Sequence, residues 1–443
     1  MLIQHRTKNQ LSVLLIALMA TVAAACAKKD VVRLPGERIP VLSLETDLAA
    51  DAGLENVPVT LPRPWTNQNW SQAGGNSESL MHHLDLNDNL NKVWTIQIGR
   101  GSVYYERMTM PPIVHNGVVY TLDTQGRVAA ISAGSGTLLW RRQVINPNEP
   151  SDVAYGGGLA FGDGRIYLTS GYGFMAALDA NNGQEIWRYD VGIPMRSKPS
   201  FGNGRVYAMT DDNQLLALDA TDGSFLWDYV GIVENAGVLG SAAPTLYNDT
   251  LIVGFSSGEL IAFRSENGQV LWQDSLGLTS SISAISTLND IDGNPVVHDG
   301  RVYAISHSGR MVSIDLRTGE RVWEKNVGSL YTPWVAGNYI FVLSTDNELA
   351  AMTARDGRIK WVTQLQRFED PEDRSGVIRW SGPVLGGDRL VAVSSHGYAV
   401  SISPYTGEIL SALELEEDTV LPPVIANKTL YLLNEDGELS AWR

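Results

Sequence analysis

Asn289, Asp290, Ile291 and Asp292 set two carboxylates around one apolar residue in a turn-rich stretch. On an exposed loop such a pair can grip a partner's basic side chain or a strand edge. The same carboxylates can instead cap nearby backbone amides. Asp290, Asp292 and Asn294 faintly echo a calcium loop, but the Glu required at its twelfth position does not follow. His82, His83 and Asp85 are metal-ligand types, yet no further His or Cys stands at ligand spacing. His115, His298, His307 and His396 fall at unlike places and read as surface or turn residues. The glycines at 156–158 are not followed by Lys and Ser/Thr, so they make no phosphate loop. Gly397 closes no nucleophile elbow, and no Ser/His/Asp set assembles. Glu106 and Arg107, beside Tyr104 and Tyr105, are candidates for lining a central channel. The chemistry-bearing residues thus favour contact over catalysis, and no cofactor is expected.

The elements that hold these residues follow from repetition. Asp179, Gly183 and Trp187 recur as Asp219, Gly223 and Trp227, and again as Asp315, Gly319 and Trp323. The same frame underlies Trp140, Trp272 and Trp361, where Ser132, Arg264 and Thr353 replace the Asp. A period of roughly 40–50 residues outranks any local reading. One unit, 199–227, reads as four short strands separated by Gly/Asn/Asp turns, which describes an antiparallel propeller blade. The Gly supplies a positive-φ turn position, the Asp accepts turn amides, and the Trp fills the gap between blades.

Counting gives eight units. A seventh, 383–410, keeps Tyr405, Thr406 and Gly407 (with Ser403 in the Asp place) and is read with Leu410 in the Trp place. The eighth stops after three strands, with Trp442 aligned to Leu218. Its missing outer strand is available at Asn91, Lys92, Val93 and Trp94. The expectation is an all-β, eight-bladed propeller of four-stranded antiparallel blades, its ring closed by this N-terminal strand. Closure removes an edge that would invite aggregation. The alternative, a linear solenoid, needs capping units at both ends.

The chain has 443 residues and a formal net charge of −16. That balance disfavours nucleic acid, which is bound by clustered Lys and Arg. Arg6 and Lys8 precede an apolar run, 11–25, of signal-peptide length. Ala23, Ala24 and Ala25 then lead to Cys26, the one cysteine in the sequence. A lone cysteine there resembles a bacterial lipobox, in which it is acylated and becomes the mature N-terminus. An ordinary cleavage after Ala25 is the other reading. Ala27, rather than Asp, after the cysteine implies outer-membrane retention with the folded part in the periplasm. The expected organisation is a lipoprotein signal peptide at 1–25, a lipidated N-terminus and tether at 26–65, and the propeller at 66–443. Residues 42–54 are expected to form a short helix.

The Asp, Gly and Trp frame resembles the repeats of pyrroloquinoline-quinone dehydrogenases and equally those of the BamB family of outer membrane protein assembly factors. Three features resemble BamB. These are the single propeller behind a lipobox, the lack of any cysteine after Cys26, and the segment Leu288, Asp290, Ile291, Asp292 and Pro295. The run from Pro64 through Trp65, Asn67 and Trp70 to Asn76 is also similar to members of this group. The resemblance implies a non-enzymatic scaffold of the β-barrel assembly complex. It would bind a POTRA domain of BamA together with other subunits, and assist insertion of unfolded β-barrel clients. Carried over by position, partner-binding residues fall on Val238, Leu239, Gly240, Ser241, Asp290 and Asp292. Leu239 stands where the family often has Arg. The rival reading is a periplasmic quinone-dependent dehydrogenase or a degenerate relative of one.

Overall fold

Each repeat folds as four antiparallel strands because its alternating apolar residues bury on both faces while Gly and Asn make the turns. The structure, a computed structural model, describes residues 48–103, 107–144, 156–234, 240–277 and 289–443. Among these, eight four-stranded sheets form an eight-bladed propeller. Blades 1 to 7 begin with the inner strands Ile113–His115, Gly157–Gly162, Ser200–Gly202, Thr245–Tyr247, Val296–His298, Trp334–Ala336 and Trp380–Gly386. Blade 8 contains Val424–Ala426, Thr429–Leu433 and Glu438–Trp442 from the C-terminus, and takes its outer strand, Lys92–Gln97, from the N-terminal side. Trp94 lies opposite Ala441 and Ile96 opposite Leu439. The ring is therefore sealed by hydrogen bonds between the two ends of the propeller, as the truncated last repeat requires. A further small hairpin, Phe368–Asp370 with Ser375–Val377, lies in the connection from blade 6 to blade 7.

One device holds each blade to the next. The indole N–H of Trp187 donates to the carbonyl of Ala220 at 3.1 Å, and Tyr167 in the same blade donates to that oxygen at 3.4 Å. Trp140 with Tyr120 does the same at Ala180, Trp227 with Tyr207 at Ser265, and Trp323 with Tyr303 at Ala354. Trp94 donates to Ala133, Trp272 to Leu316 and Trp361 to Pro404. Each ring lies on the turn Gly of the following blade. A Cβ on Gly223 would sit 2.6 Å from Trp187, and one on Gly268 2.6 Å from Trp227. Both glycines have φ near +75°, so two independent constraints select Gly.

The blade 7 reading needs one correction. Trp227 pairs with Ala217, and the equivalent partner of Ser401 is Ser411, not Leu410. Leu410 is exposed on the neighbouring pleat, as Leu226 is in blade 3. The bulge beside this pair shifts the register by one residue, and a one-residue slip exchanges faces. The seam between blades 7 and 8 thus lacks the Trp of the other seams. Leu84 and Leu86, both buried, pack there with Val384, Val391 and Ile425.

Residues 65–86 carry no repeat signal and prove to be a collar that visits every blade. Asn427 of blade 8 donates to Asn67, Trp70 exchanges hydrogen bonds with Val114 of blade 1, and Phe161 of blade 2 donates to Ser71. Phe201 of blade 3 donates to Gln72 Oε1. Leu246 of blade 4 donates to Ser77, and Val297 of blade 5 to Glu78. Trp334 of blade 6 donates to His82, and Leu84 donates to Leu385 of blade 7. The inner strands would otherwise present unpaired amides along the axis, and the collar satisfies one in most blades.

The described part of the expected tether, 48–65, lies against blades 5 and 6. Asp51 accepts the Ile359 amide and the Lys325 ammonium, and the amide holds its carboxyl below the usual range. Val59 is buried among Tyr339, Phe341 and Trp361. The helix expected over 42–54 is absent from its described part, 48–54, which is extended with one turn. Backbone pairing of Asp51 with Ile359 favours extended chain there.

Candidate docking site

Antiparallel strands send the inner-hairpin turns to one rim, and the second-to-third-strand turns with the blade-to-blade connections to the other. The candidate partner residues lie in two such connections, between blades 3 and 4 and between blades 4 and 5. Cys26, Val238 and Leu239 lie outside the described residues, as do Tyr104, Tyr105 and Glu106. Arg107 forms an ion pair with Glu435 at 3.1 Å, close to the blade 8 to blade 1 connection.

The structure brings Gly240, Ser241, Asp290 and Asp292 into one neighbourhood, but not as an exposed acidic loop. Asp290 is 2% exposed and Ile291 1%. Ile291 packs so closely on Gly254 that a Cβ there would lie 2.4 Å from its Cγ2. Burying this isoleucine draws the flanking Asp290 inward with it. The Asp290 carbonyl accepts the His307 amide at 2.8 Å, which ties the loop to a turn of blade 5.

A buried carboxylate needs compensation, and here Arg196 supplies it. Arg196 comes from the connection between blades 2 and 3. Its Nη2 lies 3.7 Å from Asp290 Oδ1, its Nη1 lies 3.7 Å from Asp211, and its Nε donates to the Gly240 carbonyl at 2.7 Å. Neither the Trp spacing nor the acidic pair pointed to Arg196. It became visible only when the ring brought three connections together. Asn294 stitches the same connections from below: its Oδ1 accepts the Ala243 amide at 2.8 Å, and its own amide donates to Thr332.

Asp292 differs from Asp290. Its residue surface is only partly covered, yet Oδ2 is enclosed and, among the described residues, has no hydrogen-bond partner. Burial, reinforced by Asp290, pushes its carboxyl up to about 8, against the pull of Arg196 and Lys198. Burial lowers the Lys198 ammonium, with Asp292 opposing, and burial also lowers His307. The site therefore holds one internally paired acid, Asp290, and a second acid, Asp292, whose charged form burial disfavours.

His82 and His83 take other roles. His83 Nδ1 lies 2.8 Å from the Pro62 carbonyl, and its Nε2 accepts the Asp388 amide at 3.1 Å. A carbonyl can only accept, so the proton sits on Nδ1. His82 packs edge-on against His298, and burial lowers its pKa.

Among known proteins, the sequence model described as outer membrane protein assembly factor BamB matches residues 124–363, more than half of the chain. The chain belongs to the BamB family. It is 31% identical over 352 residues to the outer membrane protein assembly factor BamB of Escherichia coli K12, covering 78% of this chain and 86% of that one. It is 26% identical over 359 residues to the BamB of Moranella endobia, covering 79% and 89%. The crystal structure of BamB from Moraxella catarrhalis is similar with a TM-score of 0.68 at 22% identity, covering 80% of this chain and all of that one. The quinohemoprotein alcohol dehydrogenase of Comamonas testosteroni shares the fold, with a TM-score of 0.64 at 13% identity over 85% and 80%. BamB-family sequence likeness thus spans most of the propeller, while likeness to the dehydrogenase is one of architecture.

Proposed function

We propose that this BamB-family chain is a non-enzymatic scaffold of the outer-membrane β-barrel assembly complex. It is anchored by acyl chains on Cys26 and faces the periplasm. It binds a POTRA domain of BamA alongside other subunits and helps deliver unfolded β-barrel clients. The observation that carries this reading is the gathering of Gly240, Ser241, Asp290 and Asp292 at one rim of a BamB-family propeller. Rigid blades presenting connections at a rim suit holding a partner. Val238 and Leu239 complete the expected contact.

The client role is supported by a sheet edge that is unpaired among the described residues. Phe225–Val230 is the outermost strand of blade 3. Phe225, Leu226 and Val230 are exposed, and Ile232 and Val233 extend the apolar run. Such an edge can accept an extended client strand by backbone pairing. The corresponding edge of blade 6 is covered by the chain's own residues around Asp51.

Photocrosslinkers placed at Ser241 and Asp292 of the full-length chain in cells test the docking claim. Adducts with BamA are expected. Their absence at both positions, with a crosslinker on the blade 6 outer strand as background, would reject it.

A further inference from the structure

The proposed docking surface is built from two connections that, among the described residues, are joined by the Ala243 amide donating to Asn294 Oδ1, and a further group must help to fix their relative position. Arg196 is placed to do so. Guanidinium is a planar fork with five N–H groups and a permanent charge, suited to bridging several acceptors. Here the fork reaches Gly240 in one connection, Asp290 in the other, and Asp211 in the turn of blade 3. Its side chain is 13% exposed and that of Asp290 3%, so solvent screens the interaction little.

Gly240 adds a second constraint. Its φ is +117°, while a Cβ at this position would meet nothing within 4 Å. Gly is therefore required by the backbone angle and not by space. That angle aims the carbonyl at Arg196 Nε. Asp290 is fixed at its other end by the amide of His307. Arg196 thus joins a specially turned carbonyl to a buried carboxylate across two blade boundaries.

We propose that Arg196 is the positioning residue that makes the Gly240–Ser241 and Asp290–Asp292 connections a single rigid docking surface. This rests on the docking reading above. In sequence, the basic residue expected at Leu239 is missing. In space, the preceding connection provides the charge. Asp292, the partly exposed acid of the pair, is then held at this surface beside the clamped Asp290.

The test uses the full-length chain carrying Arg196→Ala, Arg196→Gln or Arg196→Lys, alone and combined with Asp290→Asn. Hydrogen exchange of peptides covering 240–243 and 289–292 reports the clamp directly. Binding to the BamA periplasmic region reports its consequence, and thermal midpoint controls for folding. Faster exchange in both peptides is expected for Ala and Gln, with binding about tenfold weaker. Lys is not expected to restore either property, because one ammonium cannot span three acceptors. In the double variant, the Asp290→Asn substitution adds much less than it does alone. If Arg196→Ala folds poorly, the Gln variant, which keeps the stem and a donor for Gly240, carries the test. Unchanged exchange at both connections in a folded variant overturns the clamp. If the unaltered chain itself fails to bind BamA, the docking reading falls, and exchange alone still decides the clamp.

Discussion

Tyr207 and Trp227 donate to the same carbonyl oxygen, that of Ser265 in the next blade, each at 3.1 Å. One oxygen with two lone pairs absorbs two buried donors, and the pairing recurs around the ring. Burial pushes the Tyr207 hydroxyl up to about 12, so it stays protonated and keeps donating. The two residues should nevertheless differ in worth. Tyr207→Phe leaves the carbonyl satisfied by Trp227, and a loss of about 1 kcal/mol is expected. Trp227→Ala also removes the ring from the blade gap, and a loss of about 3–5 kcal/mol is expected. Denaturant melts of the two variants measure the contrast.

The turn glycines offer a paired test. Gly268 and Gly204 both have positive φ, but a Cβ on Gly268 meets Trp227 at 2.6 Å while one on Gly204 meets nothing. Gly204→Ala bears only the backbone cost of about 1–2 kcal/mol. Gly268→Ala adds the clash and should lose clearly more. Equal losses would mean that the Trp–Gly contact does not hold blades together.

The collar predicts a defect remote from any repeat. Asn67 is 1% exposed, and its Nδ2 donates to Ile425 at 2.6 Å and to Asn69 at 3.1 Å. Asn67→Ala leaves the Ile425 carbonyl unpaired at a cost of about 1–3 kcal/mol. Limited proteolysis should then cut within 66–86 in the variant before it cuts any blade.

Asp292 makes the site's stability depend on pH with an unusual sign. Its pKa rises on folding from an ordinary 3.8 to about 8. The folded state therefore binds this proton more tightly, and stability contributed by the protonated group is lost as pH climbs between those values. Lys198, lowered by burial, contributes in the opposite direction. Asp292→Asn removes the first contribution and leaves the second. Its unfolding free energy should fall less steeply between pH 5 and pH 8 than that of the native chain, as read from melts across that range.

Sequence and structure agree where geometry repeats. The spacing of Asp, Gly and Trp is set by one turn and one ring docking on the next blade, so blade count and ring closure were legible. The register of blade 7 was misread because Leu410 resembles Trp in hydropathy, while the bulge places Ser411 opposite Ser401. The collar was not legible, because its bonds run to eight separate inner strands and impose no period. The acidic pair was found, but its burial was not: that depends on Ile291 meeting Gly254 of the preceding blade. Arg196 could not be linked to Asp290 from spacing, since only the closed ring brings their connections together.

A catalytic quinone reading makes a separate prediction. Adding pyrroloquinoline quinone and Ca²⁺ to the purified chain should produce no stoichiometric shift in the quinone absorption. Saturable binding with alcohol oxidation would move this chain from scaffold to enzyme.

The most direct measurement is affinity purification of the full-length chain from detergent-solubilised outer membranes, with mass determination of the mature N-terminus and identification of its partners. The account predicts an acylated Cys26 and stoichiometric BamA, lost or sharply reduced when Asp290 and Asp292 are both replaced by Asn. An unlipidated chain recovered without BamA would contradict it.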